Sequence, residues 1–133
     1  IPPTQTTKRN DKMTTSSNRL KDHVLSIIND IENGIPVTQQ DIDDGYYDEG
    51  QYEAGDILGA WDYIKDALDI EYIVNSAKDY RGASILVAFG GPNITINTKK
   101  HQVEAYWWGE SYIEPYHTDA MDLDGTCAEL FDC

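Results

Sequence analysis

Carboxylates are the reactive groups this chain holds in excess. Residues 38–71 carry eleven of them (Asp41, Asp43, Asp44, Asp48, Glu49, Glu53, Asp56, Asp62, Asp66, Asp69 and Glu71) against one base, Lys65, for a net charge of −10 in 34 residues. Two carboxylates can work as general acid and base when their surroundings push their pKa values apart, but no spacing here singles out such a pair. A dense field of one sign does something simpler, which is to attract a basic surface. Asp62, Asp66 and Asp69 stand at helical spacing, which would set their side chains ~5–6 Å apart on one face, not far below the spacing of phosphates along a nucleic-acid strand. Such a row repels itself. Solubility or adaptation to salt would spread acids evenly, whereas this chain concentrates them.

Other strings offer chemistry and fail on context. Asp122-Leu123-Asp124-Gly125-Thr126 copies the loop of haloacid-dehalogenase-type phosphatases, in which the first Asp is nucleophile and the second general acid. That loop needs a buried apolar strand before it and a large domain after it. Here Tyr116-His117-Thr118-Asp119-Ala120-Met121 precedes and seven residues follow Thr126. The better reading is a helix start or a turn, with acids near the positive end of a helix. Asp41-x-Asp43-Asp44-Gly45 hints at a calcium loop, but Gly45 falls at position 5 and Tyr52 at position 12, where an EF-hand wants Gly at 6 and Glu at 12. His117 among Glu114, Tyr116 and Asp119 reads as a solvated histidine. Gly90-Gly91-Pro92-Asn93 is followed by a strand pattern, so it is a tight turn and not a phosphate loop. Asn93-Ile94-Thr95 matches a glycosylation sequon and is expected to be silent. No catalytic residue, metal site or cofactor is expected.

The elements that must position these groups follow from periodicity. Leu20, Val24, Ile27, Ile28 and Ile31 recur at three and four residues, with Ser16 or Ser17 as N-cap and Gly34 as left-handed stop. Thr38 can start a short helix, after which Gly45, Gly50, Tyr46, Tyr47 and Tyr52 make a loop. A second amphipathic helix is expected over about 54–69, with Ile57, Leu58, Trp61, Ile64 and Leu68 on one side and the aspartate row on the other. The period then switches to two. Runs at 71–75, 83–89, 94–98 and 103–108 predict four strands, with links short enough for hairpins. A last helix is expected around 119–131. The order α-α-β-β-β-β-α predicts an α+β fold, a four-stranded antiparallel meander with helices on one face. Strand alternation forbids Trp107 and Trp108 the same core. Trp107 is expected inside, with Trp108 partly covered by the C-terminal segment; the alternative is an exposed Trp108 that anchors a partner.

Composition sets the outer limits. The 133 residues hold 24 Asp and Glu against 10 Lys and Arg, a formal charge of −14. Hydrophobic residues make up 40%, with three Trp, nine Tyr and two Phe, enough for a core. No apolar run approaches the ~18 residues that span a bilayer, and a surface this acidic is repelled by phosphate backbones and anionic lipid. Direct binding to nucleic acid or membrane is therefore disfavoured. Residues 1–12 carry no apolar periodicity and a local charge of +2, so they read as a non-native leader or a disordered arm, with Met13 as the native start and residues 13–133 as one domain. Cys127 and Cys133 are too few for a disulfide framework and read as reduced thiols of a cytoplasmic protein, with a single clip between the two as the alternative.

The stretch Ala83-Ser-Ile-Leu-Val-Ala-Phe-Gly-Gly-Pro-Asn-Ile-Thr-Ile-Asn-Thr98, followed by Gln102-Val-Glu-Ala-Tyr-Trp-Trp-Gly109, resembles short proteins carried by phages and mobile elements of Gram-positive bacteria. Small size, strong acidity and the want of an enzyme motif are similar in character to anti-CRISPR and antirestriction proteins. The resemblance implies an inhibitor that occupies the DNA-binding groove of a host nuclease, an RNA-guided effector first of all. Asp41, Asp43, Asp44, Asp48, Glu49 and Glu53 would then be loop contacts to the Arg and Lys that read the protospacer-adjacent duplex. Asp62, Asp66 and Asp69 would form a rigid row, and Tyr46, Tyr47 and Tyr52 would pack against arginine. The alternative is a regulatory or assembly module that binds through Trp108 and Tyr112.

Overall fold

The computed structural model describes the backbone from residue 15 and side chains from residue 19 through residue 133. Met13 and the stretch 1–12, read above as a leader or arm, lie outside the described residues. Helix α1 (Thr15–Asn33) already includes Ser16 and Ser17, so neither is its N-cap. It buries Leu20, Val24, Ile28 and Ile31 on one stripe. It ends at Gly34, whose φ of +77° only glycine adopts freely and whose N–H bonds to the Asp30 carbonyl. A short helix α2 (Gln39–Asp43) follows, capped by the Thr38 hydroxyl, which accepts from the Asp41 N–H at 3.1 Å.

The second amphipathic helix is far shorter than its pattern predicts. Only α3 (Ala60–Ile64) forms. Residues 54–59 are extended or turned instead, because Gly55 takes a φ of +95° and Ile57 pairs with Pro36 in an isolated bridge. After Ile64 the chain makes a turn and joins the sheet, the Leu68 N–H donating to the Leu86 carbonyl.

Five antiparallel strands then run as a meander in sequence order: β1 (Asp69–Val74), β2 (Tyr80–Ala88), β3 (Asn93–Asn97), β4 (Gln102–Trp107) and β5 (Glu110–Pro115). The fold is α+β as expected, with one more strand than the four read from sequence. Across the inner face, Ile70, Ile85, Ile96 and Val103 stand in one register row and Ile94, Ala105 and Tyr112 in another. Helix α1 covers β4 and β5, and helix α4 (Leu123–Asp132) covers β2. The outer face has no helix on it among the described residues. Its central row reads Asp69, Leu86, Thr95, Glu104, Ile113.

A meander places alternate turns at opposite ends. The β1–β2 and β3–β4 turns share one end and bring together Lys78, Arg81, Lys99 and Lys100, four of the seven Lys and Arg whose side chains are described. Gly82 lets these turns meet, since a Cβ there would lie 2.8 Å from the Lys99 backbone. The other end carries the β2–β3 and β4–β5 turns and the entry to β1.

The Asp-Leu-Asp-Gly-Thr string is a helix start. Asp122 is the N-cap of α4, and its carboxylate accepts from the Gly125 N–H at 3.2 Å. Asp119 accepts from the Leu123 N–H at 2.9 Å. Asp124 faces inward and accepts from the Tyr80 hydroxyl at 2.8 Å and the Thr98 hydroxyl at 2.9 Å. Thr98 in turn accepts from the Ala83 N–H at 2.8 Å. Burial, together with this carboxylate, pushes the Tyr80 phenol well above its usual range.

Removing the carboxylate with Asp124→Ala takes away the acceptor that the Tyr80 and Thr98 hydroxyls share and is expected to cost about 2–3 kcal/mol. Urea unfolding should show the lower midpoint at an unchanged slope. Both cysteines are free thiols, Cys127 buried and Cys133 exposed. Burial, aided by Asp124 and Asp119, pushes the Cys127 thiol up to about 11. A thiol reagent at neutral pH should therefore label Cys133 in the native protein and reach Cys127 only after unfolding.

Candidate partner-binding surface

The acidic segment is organised as a lobe. The chain leaves the helical layer at Val37 and returns at Asp56, and the two meet there: the Val37 N–H donates to the Asp56 carbonyl at 2.7 Å and the Gly55 N–H to the Val37 carbonyl at 2.8 Å. Residues 38–56 are thus an excursion with a closed base. Inside it, backbone turns are held by side chains. The Asp48 N–H donates to Gln51 at 3.1 Å, and the Glu53 N–H to the Asp56 carboxylate at 2.8 Å. These are the local bonds that Asp and Gln offer a turn in place of regular structure.

One contact fastens the lobe to the domain. The Tyr52 hydroxyl donates to the Asp62 carboxylate at 2.6 Å and accepts from the Gly59 N–H at 2.8 Å. Gln51 donates to the same carboxylate at 2.9 Å, and Lys65 forms a salt bridge to it at 3.2 Å. Burial alone would raise the Asp62 pKa, but the bonds from Tyr52, Lys65 and Gln51 outweigh it and hold the carboxyl below its ordinary value. Burial and the Asp62 bond push the Tyr52 phenol up. The Tyr47 ring packs edge-on against Tyr52 with centroids 4.8 Å apart. Behind this, the Tyr63 hydroxyl donates to Asp30 at 2.9 Å and ties α3 to α1.

The residues expected to bind a partner therefore divide. Asp43, Asp44, Asp48, Glu49 and Glu53 are exposed on the lobe, and Tyr46 is 65% exposed beside them; Asp41 is half-buried in the first turn of α2. Tyr47 and Tyr52 are half-buried and spent on holding the lobe together. The rigid row of Asp62, Asp66 and Asp69 does not exist. Asp62 lies in α3 and is taken up internally, Asp66 sits in the turn after it, and Asp69 opens β1. Helical spacing cannot align them because the helix stops at Ile64. Lys65–Asp62 is the one salt bridge among the described residues.

A second surface lies at the turn end of the sheet. Trp107 is half-buried on the inner side as expected, with Trp108 directed elsewhere. The C-terminal segment does not cover Trp108. It forms a two-residue turn with Gly109, both at positive φ (+54° and +76°), and is 81% exposed. Phe89 at 71% and Tyr106 at 44% are exposed close by. Together with Gly90, Gly91, Asn93, Glu110 and Ser111 they line an open cleft of about 430 Å³. Tyr106 belongs to the aromatic run Tyr106-Trp107-Trp108, whereas Phe89 gives no signal in sequence, standing as a lone aromatic at the end of the apolar run 83–89 before Gly90-Gly91. Tyr112, expected beside Trp108 as an anchor, is half-buried on the inner face and bonds to Glu114 at 2.8 Å.

In the Asp122–Asp124 loop, Asp122 caps a helix, and one oxygen of Asp124 accepts from two hydroxyls inside the fold. No three His, Cys, Asp or Glu side chains converge to hold a metal among the described residues. No helix among them is long and apolar enough to cross a membrane. Comparison with protein-family models, with curated proteins and with solved structures found no match.

The Asp62 anchor titrates in a defined direction. A carboxyl whose folded pKa lies below its ordinary 3.8 contributes in full above that value and is lost as pH falls through the lower, folded one. The Gly59 amide and Tyr52 ring resonances should move in that acid window, and Asp62→Asn should abolish the movement. At neutral pH, Tyr52→Phe should lower stability by about 1–2 kcal/mol and speed amide exchange at Gly59.

Proposed function

We propose that this protein inhibits a DNA-targeting defence nuclease of a bacterial host, in the manner of an anti-CRISPR, by seating the lobe of residues 38–56 in the groove that holds DNA. The observation that carries the reading is the state of the lobe's charge. Asp43, Asp44, Asp48, Glu49, Glu53 and Asp56 all face solvent, no Lys or Arg lies between residues 22 and 64, and the lobe is held in one shape by its own turns and by Tyr52. Like charges fixed close together raise the energy of the free protein, and a basic groove relieves it. The arginines and lysines that clamp a DNA backbone or read a protospacer-adjacent motif supply that groove. Association would be fast, weakened by salt, competitive with DNA and independent of any cofactor. Its site of action would be the bacterial cytoplasm.

The second reading is an interaction module that docks through Trp108 and leaves the acids as a solubilising shell. It is favoured by the 81% exposure of that indole. The two make opposite demands on the same assay.

Guide-loaded RNA-guided nucleases from Gram-positive hosts, mixed with target duplex and this protein, should release DNA in a gel shift. Neutralising the lobe with Asp43→Asn, Asp44→Asn, Asp48→Asn and Glu49→Gln together should weaken the competition at least about tenfold, and raised salt should weaken the unmodified protein in parallel. Full competition by the neutralised lobe, with loss on Trp108→Asn instead, would transfer the function to the aromatic end.

A further inference from the structure

We propose that the cleft between the β2–β3 and β4–β5 turns is a receptor for an arginine side chain of a protein partner. The inference gives the aromatic end a ligand chemistry and does not depend on the acidic lobe; it rests on the second reading's premise that Trp108 is a contact residue.

Three observations carry it. The first is the placement of Trp108. A two-residue hairpin turn with both residues at positive φ favours Asn, Asp or Gly, and a bulky residue there is held against its own preference. An indole that is 81% exposed gains little from folding, so neither turn chemistry nor the core accounts for tryptophan at this position. The second is the company it keeps. Phe89 comes from a different hairpin, and Tyr106 from the strand leading into the Trp108 turn, so exposed ring faces line the cleft from both of its turns. Gly90 and Gly91 keep the wall opposite Trp107 low, and a Cβ on Gly91 would meet the Trp107 ring nitrogen at 3.6 Å.

The third is charge. No Lys or Arg lines the cleft, and Glu110 does. Glu104 stands next to it, accepting from the Tyr106 hydroxyl at 3.4 Å. Asp69 and the turn holding Asp66 enter the sheet at this same end, with Lys65 of that turn bonded to Asp62, while Lys78, Arg81, Lys99 and Lys100 are gathered at the other. Aromatic faces backed by carboxylates attract a cation that is planar and weakly hydrated. A guanidinium stacks on indole and phenol rings while its N–H groups reach carboxylate and backbone oxygens; an ammonium is compact and holds its water.

The test uses the whole ¹⁵N-labelled chain titrated with acetyl-Gly-Arg-Gly-amide, its lysine counterpart and its citrulline counterpart, which keeps the shape of arginine and loses the charge. The arginine peptide should shift the Trp107 and Trp108 indole N–H signals and the Gly90, Gly91 and Gly109 amides in a saturable way. Lysine should bind more weakly and citrulline weakest. Trp108→Asn, which suits the turn, should weaken the arginine peptide about tenfold, the loss expected for a partly desolvated cation–π contact. Citrulline binding as well as arginine would overturn the charge-reading cleft while leaving Trp108 a contact residue. Shifts confined to residues 38–56, or none at all, would overturn the inference, while the reading it rests on stands or falls separately with the effect of Trp108→Asn in the competition assay.

Discussion

The C-terminal helix, whose Leu123 and Cys127 enter the core, is fixed in place on the sheet through one carboxylate. Asp124 takes hydroxyl bonds from β2 through Tyr80 and from the end of β3 through Thr98, and Thr98 passes the connection to the backbone of β2. Phe131, the penultimate residue of α4, then packs against Tyr72 and Tyr80. Once α4 is fixed, it backs α3, and α3 carries the Asp62 that receives Tyr52. The anchor of the acidic lobe is thus connected through α3 and α4 to a charge placed where only neutral donors surround it, and through Tyr63 and Asp30 to α1. Hydrogen bonds to a charged acceptor are stronger than neutral ones, which is why hydroxyls suffice there.

The same economy recurs through the molecule. A chain with this excess of acid has few cations for its carboxylates, so it satisfies the inward ones chiefly with tyrosine, threonine, glutamine and amide donors. Asp30, Asp62, Asp119 and Asp124 are of this kind, with Lys65 added at Asp62. The outward ones stay in solvent, some with a neighbouring amide bonded to them. Acidity is therefore two populations, one structural and one presented, and only their surroundings tell them apart.

That division explains what could be read in advance. The stripe of α1, the Gly34 stop, the Thr38 cap and the apolar alternation of β2 to β4 were legible because each is a local rule with one outcome. The fifth strand was hidden because its inward residues, Glu110, Tyr112 and Glu114, are polar, so its alternation carries no apolar signal, and because its turn is Trp-Gly where Asn-Gly would have announced a hairpin. The long second helix was misread for the opposite reason. Its apolar spacing is real, but Gly55 and a bridge from Ile57 to Pro36 override it, a tertiary contact no local window contains. With the helix went the aspartate row. The aromatic cleft draws on residues from two hairpins, and only the register of a five-stranded sheet brings them together.

The closed base of the lobe has a consequence of its own. Because residues 37 and 56 are hydrogen-bonded neighbours, everything between them begins and ends at one place, and the sheet does not register its length. Each doubling of such a loop costs only about 0.6 kcal/mol in closure entropy. Residues 38–56 are in this sense a cartridge: a segment that can be lengthened or recoded at a fixed socket, so long as Gln51 and Tyr52 keep their bonds to Asp62 and Gly59.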